Sequence, residues 1–457
     1  MDVSSVKASM TKTQRIALFW LLLCCGLSAL WGVSIERSSP GGMIDFKGVY
    51  YDARCLLEHT DPYKAGEPLR VYLAEGGSRP GPKEDGLRQN LTWNVYFPTI
   101  SIFITPFAIL PWGPAHLLWM ILTAGSLILG AFLMWDFGAN YAPVISGGLI
   151  CFVLANSEIL FAIGNTAGIA ISLCLVAVWC FLKERFVCAG ILCLAASLAI
   201  KPHDAGFVWL YFLLAGGIYR KRALQTLLVT AVLAALALLW VAPIAPHWIQ
   251  ELHSNILAAC GPNNPGLSSA VRIGPCMIID LQSILSVFRD DPRIYNPVSY
   301  VVCGALLLVW AIHTLRSLFS PRSAWLGLAV AATLTMLVSY HRPYDAKLLL
   351  LTVPACVMLW AEGGPIRWLA LLVTSAGIVS TSDIPLTILL ILTKNMHIST
   401  AGLSGQIRTV LLMEPTPLIL LVTGIFYLWI YVRRDPAQPP LTEVGEPGEK
   451  QLASTPA

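Results

Sequence analysis

Long apolar runs recur along this chain from residue 15 to residue 432, and they restrict its fold more than any other feature does. A helix needs about 20 apolar residues to cross the hydrocarbon core of a bilayer. Only segments that satisfy their own backbone hydrogen bonds are stable there. We expect transmembrane helices near residues 15–35, 113–134, 142–162, 166–182, 187–201, 204–218, 223–243, 298–316, 324–340, 346–360, 366–382 and 410–432.

The composition supports the same fold class. Hydrophobic residues make up 56% of the chain and charged residues only 12%, whereas soluble domains carry about 25% charged residues. The formal net charge of +4 gives no reason to expect a nucleic-acid partner. The sequence therefore predicts an all-α, polytopic integral membrane protein of about twelve spans, with residues 1–435 forming a single domain.

The positive charges predict the orientation, because short loops rich in Lys and Arg stay in the cytoplasm. Such groups occur at Lys183–Arg185, Arg220–Arg222 and Arg433–Arg434. They predict a multi-pass protein of the plasma membrane (the cell inner membrane) with both termini in the cytoplasm. The first apolar run follows basic residues but lacks a small-residue cleavage site, so we interpret it as a retained helix rather than a signal peptide.

Two long polar segments, 36–111 and 244–297, then lie outside. Within the first, residues 45–59 have the apolar spacing of an amphipathic helix, and Asp45 and Asp52 are seven residues apart and share a face. We expect this helix to lie along the membrane surface with its carboxylates toward water or protein. Residues 97–110 are too few for a span and contain two prolines, so we expect an interfacial or re-entrant helix, as we do for 384–393.

The loops and the tail contain three smaller features. Residues 436–457 have the composition of a disordered cytoplasmic tail. Cys260 and Cys276 are both in the second outer loop, and the sequence allows either a disulfide between them or two free thiols. Asn90-Leu91-Thr92 fits a glycosylation sequon. We find no nucleotide-binding motif and no metal-ligand spacing, so the sequence predicts no cofactor, assigns no metal ligands and leaves metal dependence open.

The ionisable residues gather at outer helix ends and avoid the membrane midplane, where charges are costly. They fall at three turns, which contain Asp45 and Asp52; Lys201 and His203; and His341, Arg342, Asp345 and Lys347. Each has a structural interpretation. Lys201 would cap a helix end and extend to the interface, Asp45 would be an N-cap, and His341 with Arg342 would form a solvated turn. The convergence of all three turns on one side favours a substrate site.

The chain also carries family-like motifs in a fixed order. They are Asp45-Phe46 with Tyr50-Tyr51-Asp52-Ala53 and Asp61-Pro62-Tyr63; Tyr96-Phe97-Pro98 continuing to Pro106 and Leu110-Pro111; and Gly164-Asn165 followed by Ala199-Ile200-Lys201-Pro202. With these motifs the chain resembles glycosyltransferase family 87, in the C-type superfamily of integral-membrane enzymes that use polyprenyl-phosphate sugars. It departs from the family at Phe97, where a proline is more usual.

The resemblance implies a catalytic acidic residue (Asp or Glu) in the first outer loop, which corresponds to Asp45, and Asp52 is the alternative that stays open. It also implies transfer of mannose or a related hexose from a polyprenyl phosphate to a lipid or glycan acceptor. We expect inverting chemistry with a carboxylate as general base. The departing lipid phosphate requires fixed cations, for which Lys201 is the first candidate. The predicted substrate-binding residues are Lys201, His203, His341, Arg342, Asp345 and Lys347.

Two other classes of function remain. A lipid or glycan transporter, or flippase, places its substrate site near the midplane, often between inverted repeats and broken helices. The position of the ionisable residues at helix ends disfavours it. A membrane scaffold without chemistry would leave the clustered polar turns without a role. The expected partners are therefore the lipid-linked donor, the acceptor and membrane lipids.

Overall fold

The computed structural model describes residues 10–38, 42–81, 84–260, 278–395 and 402–433. Every regular element in these ranges is helical, which confirms the predicted all-α class. The predicted tail at 436–457 lies outside the described residues. So does Cys276, the second cysteine of the possible disulfide.

The helices follow one another with short connections. In chain order they are α1 (Lys12–Ser38), α2 (Ile44–Leu57), α3 (Glu67–Ala74), α4 (Asp85–Thr92), α5 (Thr99–Ala108), α6 (Trp112–Gly138), α7 (Pro143–Ala155), α8 (Glu158–Ile163), α9 (Ala167–Leu182), α10 (Val187–Ile200), α11 (Pro202–Leu214), α12 (Gly217–Ile244), α13 (Trp248–Ala259), α14 (Leu281–Phe288), α15 (Pro292–Arg316), α16 (Pro321–Val338), α17 (Thr352–Glu362), α18 (Ile366–Ser380), α19 (Asp383–Asn395), α20 (Gly402–Arg408) and α21 (Thr416–Val432). A 3-10 helix, Asp345–Leu351, precedes α17, and a π-helical turn, Thr409–Met413, precedes α21.

Six described helical segments are long and apolar enough to cross a membrane, or up to eight if each of two bent pairs counts as one span. The six are α1 (to Ser34), α6, α7 with α8, α12, α15 and α16. Three further apolar helices, α5, α9 and α10, are shorter. The chain is therefore a multi-pass helical membrane protein, and the count of about twelve spans stays a prediction.

The bent pairs explain where the predicted span positions differ from the structure. The predicted helix at 410–432 is not one helix, because Gly402–Met413 and Thr416–Val432 meet at an angle of 72°. Pro415 lies at the break and cannot donate a backbone hydrogen bond. A 71° bend also separates α18 from Asp383–Leu389, in keeping with the interfacial or re-entrant helix predicted at 384–393. The helix predicted at 97–110 is the ten-residue α5.

The first polar segment folds into a small helical layer on the end of α6. Helix α2 packs against α3, α4 and α5, and the ring of Phe46 stacks on that of Trp119 in α6 with centroids 4.5 Å apart. Nine of the fourteen residues of α2 are buried, so its apolar side chains contact protein. This packing brings Asp45 beside the end of α8.

Gly164 permits the close approach of α2 and α8. It ends α8 with φ of +66°, in the left-handed region that favours glycine. A Cβ at this position would lie 2.9 Å from Cβ of Phe46, so a larger residue would push the two segments apart. The backbone N–H of Met43 donates to the carbonyl of Ala162 at 2.7 Å. The position of Asn165, the next residue, is therefore closely defined.

Helix α16 forms much of the protein's interior. It contacts α11, α15, α17 and α21, and a reciprocal pair of hydrogen bonds between Ser320 and Ser323 caps its first turn. Its C-terminal end leads into the turn that carries His341. A buried helix of this kind gives that turn a rigid base.

Candidate active site

Asp45 lies in the first turn of α2, and its carboxylate is held by two side-chain amides from other segments. Nδ2 of Asn90 donates to Oδ1 at 2.8 Å, and Nδ2 of Asn165 donates to Oδ2 at 2.6 Å. The N-cap of α2 is Met43, and no side chain caps the helix. The interpretation of Asp45 as an N-cap is therefore wrong, and its contacts are tertiary.

The orientation of the Asn165 amide is fixed independently. Its Oδ1 accepts a hydrogen bond from the backbone N–H of Ala167 at 2.8 Å, which leaves Nδ2 to face Asp45. Asn90 is on α4, which packs against α2. Two amide donors, one on each oxygen, fix the direction of the Asp45 carboxylate.

Asp52 lies two turns further along α2 and is in a very different environment. It is 4% exposed, and its Oδ1 has no hydrogen-bond partner among the described residues. Burial raises the pKa of Asp52 well above its ordinary value. Burial of this kind favours the protonated form of the carboxyl group, which makes Asp52 the weaker proton acceptor.

The raised pKa of Asp52 predicts a pH-dependent stability. Between the unfolded pKa of about 3.9 and the higher folded pKa, the folded protein holds the proton more tightly, so its stability falls as pH rises. Asp52→Asn, which stays neutral, should match the wild type near pH 4 and melt at a progressively higher temperature than it toward neutral pH. Melting curves over this range check it, and a constant difference at all pH values would contradict it.

Lys201 lies at the junction of α10 and α11 and points into the protein. It is 7% exposed, its Nζ bonds to the carboxylate of Asp345, and it lies 3.6 Å from Oδ2 of Asp204. Nζ is also 5.3 Å from the centre of the Tyr344 ring. Burial acts to lower the pKa of Lys201, but the charges of Asp204 and Asp345 outweigh it and raise that pKa. Lys201 therefore does not extend to the interface, as its structural interpretation supposed.

His341 is fully buried and faces Asp204, which also lies beside Lys201. Its Nε2 lies 3.3 Å from Oδ1 of Asp204, and its Nδ1 lies 2.8 Å from the carbonyl oxygen of Ser339. Nε2 of His203 lies 3.8 Å from the same oxygen of Asp204. Burial acts to lower the pKa of His341, but the adjacent Asp204 carboxylate raises it above its ordinary value. The expectation of a solvated turn is wrong for His341.

Asp345 connects the two halves of this buried cluster. One of its oxygens bonds to Lys201, and the other accepts from the backbone N–H of Arg342 at 2.8 Å. The half-buried Arg342 places its guanidinium 5.5 Å from the centre of the Tyr340 ring. The structure thus brings together five of the six predicted substrate-binding residues, namely Lys201, His203, His341, Arg342 and Asp345.

Lys347 contacts a different group. Its Nζ donates to the backbone carbonyl of Asn156, at the break between α7 and α8. Glu158 and Asp383 lie within electrostatic range of it. Because a 3-10 helix has about three residues per turn, residues two apart project in well-separated directions, and Lys347 points away from Asp345.

Three tyrosines connect Asp45 with the buried cluster. The hydroxyls of Tyr96, Tyr340 and Tyr344 each lie within electrostatic range of both Asp45 and Asp345. A hydrogen bond of 2.5 Å from Thr99 to the carbonyl of Ala199 also ties the start of α5 to the residues before Lys201. Asp45 and the cluster therefore belong to one polar region at one end of the helices.

Sequence reasoning does not assign several residues of this region to the site, namely Asp204, Asn90, Asn165, Tyr96, Tyr340 and Tyr344. Two of these residues carried a signal in the sequence. Asp204 is next to His203, and Asn165 follows Gly164 in a family-like motif. Asn90 was interpreted only as a sequon residue. His203, Asp204 and His341 also place three ligand atoms close enough to hold a metal ion, which the sequence did not predict.

Comparison with known proteins gives the family. A model of glycosyltransferase family 87 matches residues 94–339, more than half of the chain. Searches of curated proteins and of solved structures found no match. Lys201, His203 and Asp204 lie inside the matched range, whereas Asp45 and the turn from His341 to Lys347 lie outside it. The chain therefore belongs to glycosyltransferase family 87 and is a membrane glycosyltransferase.

Proposed function

We propose that this protein transfers a hexose, with mannose as the first candidate, from a polyprenyl phosphate to a hydroxyl group of a lipid or glycan. The reaction would take place at the outer face of the plasma membrane, with both termini in the cytoplasm. The observation that carries the proposal is the convergence of Asp45 and the cluster around Lys201 on the same three tyrosines. This convergence supports a shared site for the proposed base and the proposed phosphate-binding residues.

Asp45 is the proposed general base. A base must lie within hydrogen-bond reach of the acceptor hydroxyl and must be ionised. The amides of Asn90 and Asn165 hold the Asp45 carboxylate in one orientation, with one hydrogen bond on each oxygen. Asp52 is the weaker candidate because burial raises its pKa and favours its protonated form.

Lys201 and Arg342 are the proposed cations for the departing phosphate. Catalysis gains most from charges that are already in place where charge develops. Lys201 is fixed by Asp204 and Asp345, and Arg342 is half-buried beside Asp345. His203, His341 and Asp345 complete the donor-phosphate site, and Lys347 serves the separate contact with Asn156.

The reaction is a single displacement at the anomeric carbon, which makes it inverting. The acceptor oxygen forms the new bond as the bond from the sugar to the phosphate oxygen breaks, through an oxocarbenium-like transition state. The electron pair of the broken bond goes to the lipid phosphate, and the acceptor proton goes to Asp45. Atoms and charges balance without a further reactant.

Purified protein in lipid vesicles tests the proposal. We expect radiolabel from polyprenyl-phosphate mannose, or from another polyprenyl-phosphate hexose, to appear in an acceptor from a host lipid and glycan extract, with polyprenyl phosphate released. Transfer from a nucleotide sugar but from no lipid-linked donor would contradict the donor class. Movement of labelled lipid across the bilayer without transfer would support the transporter instead.

Asn165→Ala should lower the rate of transfer about 10- to 100-fold, because it removes a hydrogen bond to a charged group worth about 1.5–3 kcal/mol. The effect should fall mainly on kcat, since Asn165 acts on Asp45 rather than on substrate. Asn140→Ala is the matched control, because Asn140 is exposed just after the end of α6 and its amide donates to the backbone carbonyl of Asp136. Equal rates for the two variants would remove Asn165 from the site.

A further inference from the structure

Three ligand atoms of the buried cluster converge with the spacing of a metal site. One ring nitrogen each of His203 and His341 and a carboxylate oxygen of Asp204 lie within 4.8 Å of one another. Nε2 of His203 and Nε2 of His341 are 3.8 Å and 3.3 Å from Oδ1 of Asp204. Zinc bonds of about 2.0–2.2 Å at tetrahedral angles place ligand atoms roughly 3.3–3.5 Å apart. The observed spacing is close to that of a single tetrahedral ion.

The orientation of His341 requires a positive species beside Asp204. Its Nδ1 faces the carbonyl oxygen of Ser339, which can only accept a hydrogen bond, so the ring proton is on Nδ1. In the neutral ring Nε2 is then an acceptor, and it faces the carboxylate of Asp204, which is also an acceptor. The separation of 3.3 Å exceeds the 2.7–2.9 Å of a charge-assisted hydrogen bond.

Burial makes this arrangement costly without a cation. Asp204 and His341 are fully buried, and both carboxylate oxygens of Asp204 and Nε2 of His341 have no hydrogen-bond partner among the described residues. Two buried carboxyl groups, those of Asp204 and Asp345, face the single ammonium group of Lys201. Lys201 lies on the Oδ2 side of Asp204, so Oδ1 is the oxygen available to an ion.

The surroundings also resemble those of a metal ligand set. Metal-bound histidines usually donate their other ring N–H to a carbonyl or carboxylate, as His341 does to Ser339. His203 is 37% exposed on its side chain, so the site opens on that side. Three protein ligands with one open position are typical of zinc sites that bind a further group.

We propose that His203, Asp204 and His341 bind one divalent transition-metal ion, with zinc the first candidate from the nitrogen and oxygen ligand set. The site has no recognisable ligand spacing in the sequence, because His203 and Asp204 are adjacent and His341 comes from a distant turn. If the donor phosphate binds beside Lys201, as proposed above, the open position would take a phosphate oxygen. Binding of the ion itself does not depend on that function.

Metal content of the purified full chain tests the proposal. The protein carries an affinity tag without histidines, is incubated with Zn²⁺, is freed of unbound ion by gel filtration and is analysed by elemental mass spectrometry. We expect about one zinc ion per wild-type chain and a loss of at least about tenfold in affinity for His203→Ala, Asp204→Asn and His341→Ala. His253→Ala, on the exposed face of α13, is the matched control and should retain the ion.

A second probe reports the geometry. Co²⁺ in place of Zn²⁺ should give the strong visible absorption of a tetrahedral site in the wild type and in His253→Ala only. Asp204 is buried, so Asp204→Asn is vulnerable to misfolding. If that variant does not fold, His203→Ala, at a partly exposed position, tests whether the metal is bound at this site.

Two results would overturn the proposal. Wild-type protein that retains no more zinc, cobalt or manganese than His203→Ala would leave a proton on His341 as the cation beside Asp204. Equal loss in His253→Ala would mean that the bound metal is nonspecific. Asp45→Asn should keep the metal while losing transfer, so that failure of the proposed reaction and failure of the metal site are separate outcomes.

Discussion

Asp45→Asn should lower the rate of sugar transfer by about 10²- to 10⁴-fold, the usual contribution of a general base, and should leave the protein folded. The substitution replaces a carboxylate by an amide of the same shape, which cannot accept the acceptor's proton. The two amides that now donate to Asp45 come from Asn90 and Asn165. The side-chain oxygen of the new asparagine still accepts one of these two hydrogen bonds, so the loss of stability should be modest.

Asp52→Asn is the matched control for this experiment, because it makes the same chemical change on the same helix. Asp52 is buried and its pKa is raised, so its neutral replacement should leave transfer nearly unchanged. Rates are measured with saturating labelled donor, and folding is checked by melting temperature. If Asp52→Asn lost activity and Asp45→Asn kept it, the two residues would exchange roles.

Lys201→Met should destabilise the protein by about 3–5 kcal/mol and abolish transfer. Removing one partner of a buried ion pair leaves the other charges without compensation in a low-dielectric interior, and here both Asp204 and Asp345 face the ammonium group. Methionine fills a similar volume, so the effect reports charge rather than a cavity. Thermal or denaturant unfolding in detergent measures the loss.

Two comparisons separate charge from catalysis in this variant. Lys183→Met also removes a lysine from an ion pair, with Asp136 at 2.9 Å, but that pair is partly exposed and its loss should cost at most about 1 kcal/mol. The double variant Lys201→Met with Asp345→Asn should recover part of the stability without recovering transfer. Full recovery of transfer would show that Lys201 is not needed for the donor phosphate.

The helices and the ends at which polar residues gather were predictable because each follows from local patterns. Apolar runs predicted long membrane helices such as α6 and α12, and the seven-residue spacing of Asp45 and Asp52 predicted a shared helix. The different roles of those two carboxylates were not predictable, since burial of Asp52 depends on packing by distant segments. Bends such as the one at Pro415 also altered predicted spans, because a proline signals a break but not its angle.

The partners of each charged residue were the least predictable part of the site. Lys201 was singled out, yet its bond to Asp345 joins residues from separate helices. Lys347 was grouped with Asp345 because the two are close in sequence, and the 3-10 helix turns it toward Asn156. Side-chain contacts across a fold depend on helix packing, which no spacing rule within one segment describes.

The hydrogen bond from Asn90 to Asp45 also affects the choice of an expression host. Asn90 begins the sequon Asn90-Leu91-Thr92, and its Nδ2 is the atom to which an N-linked glycan would be attached. The same atom donates to the carboxylate of Asp45, and the Asn90 backbone packs against Gly48 of α2. A glycan there would displace α4 from α2, so material made in a eukaryotic secretory pathway would carry a damaged site. Production in a bacterial host without N-glycosylation avoids this loss.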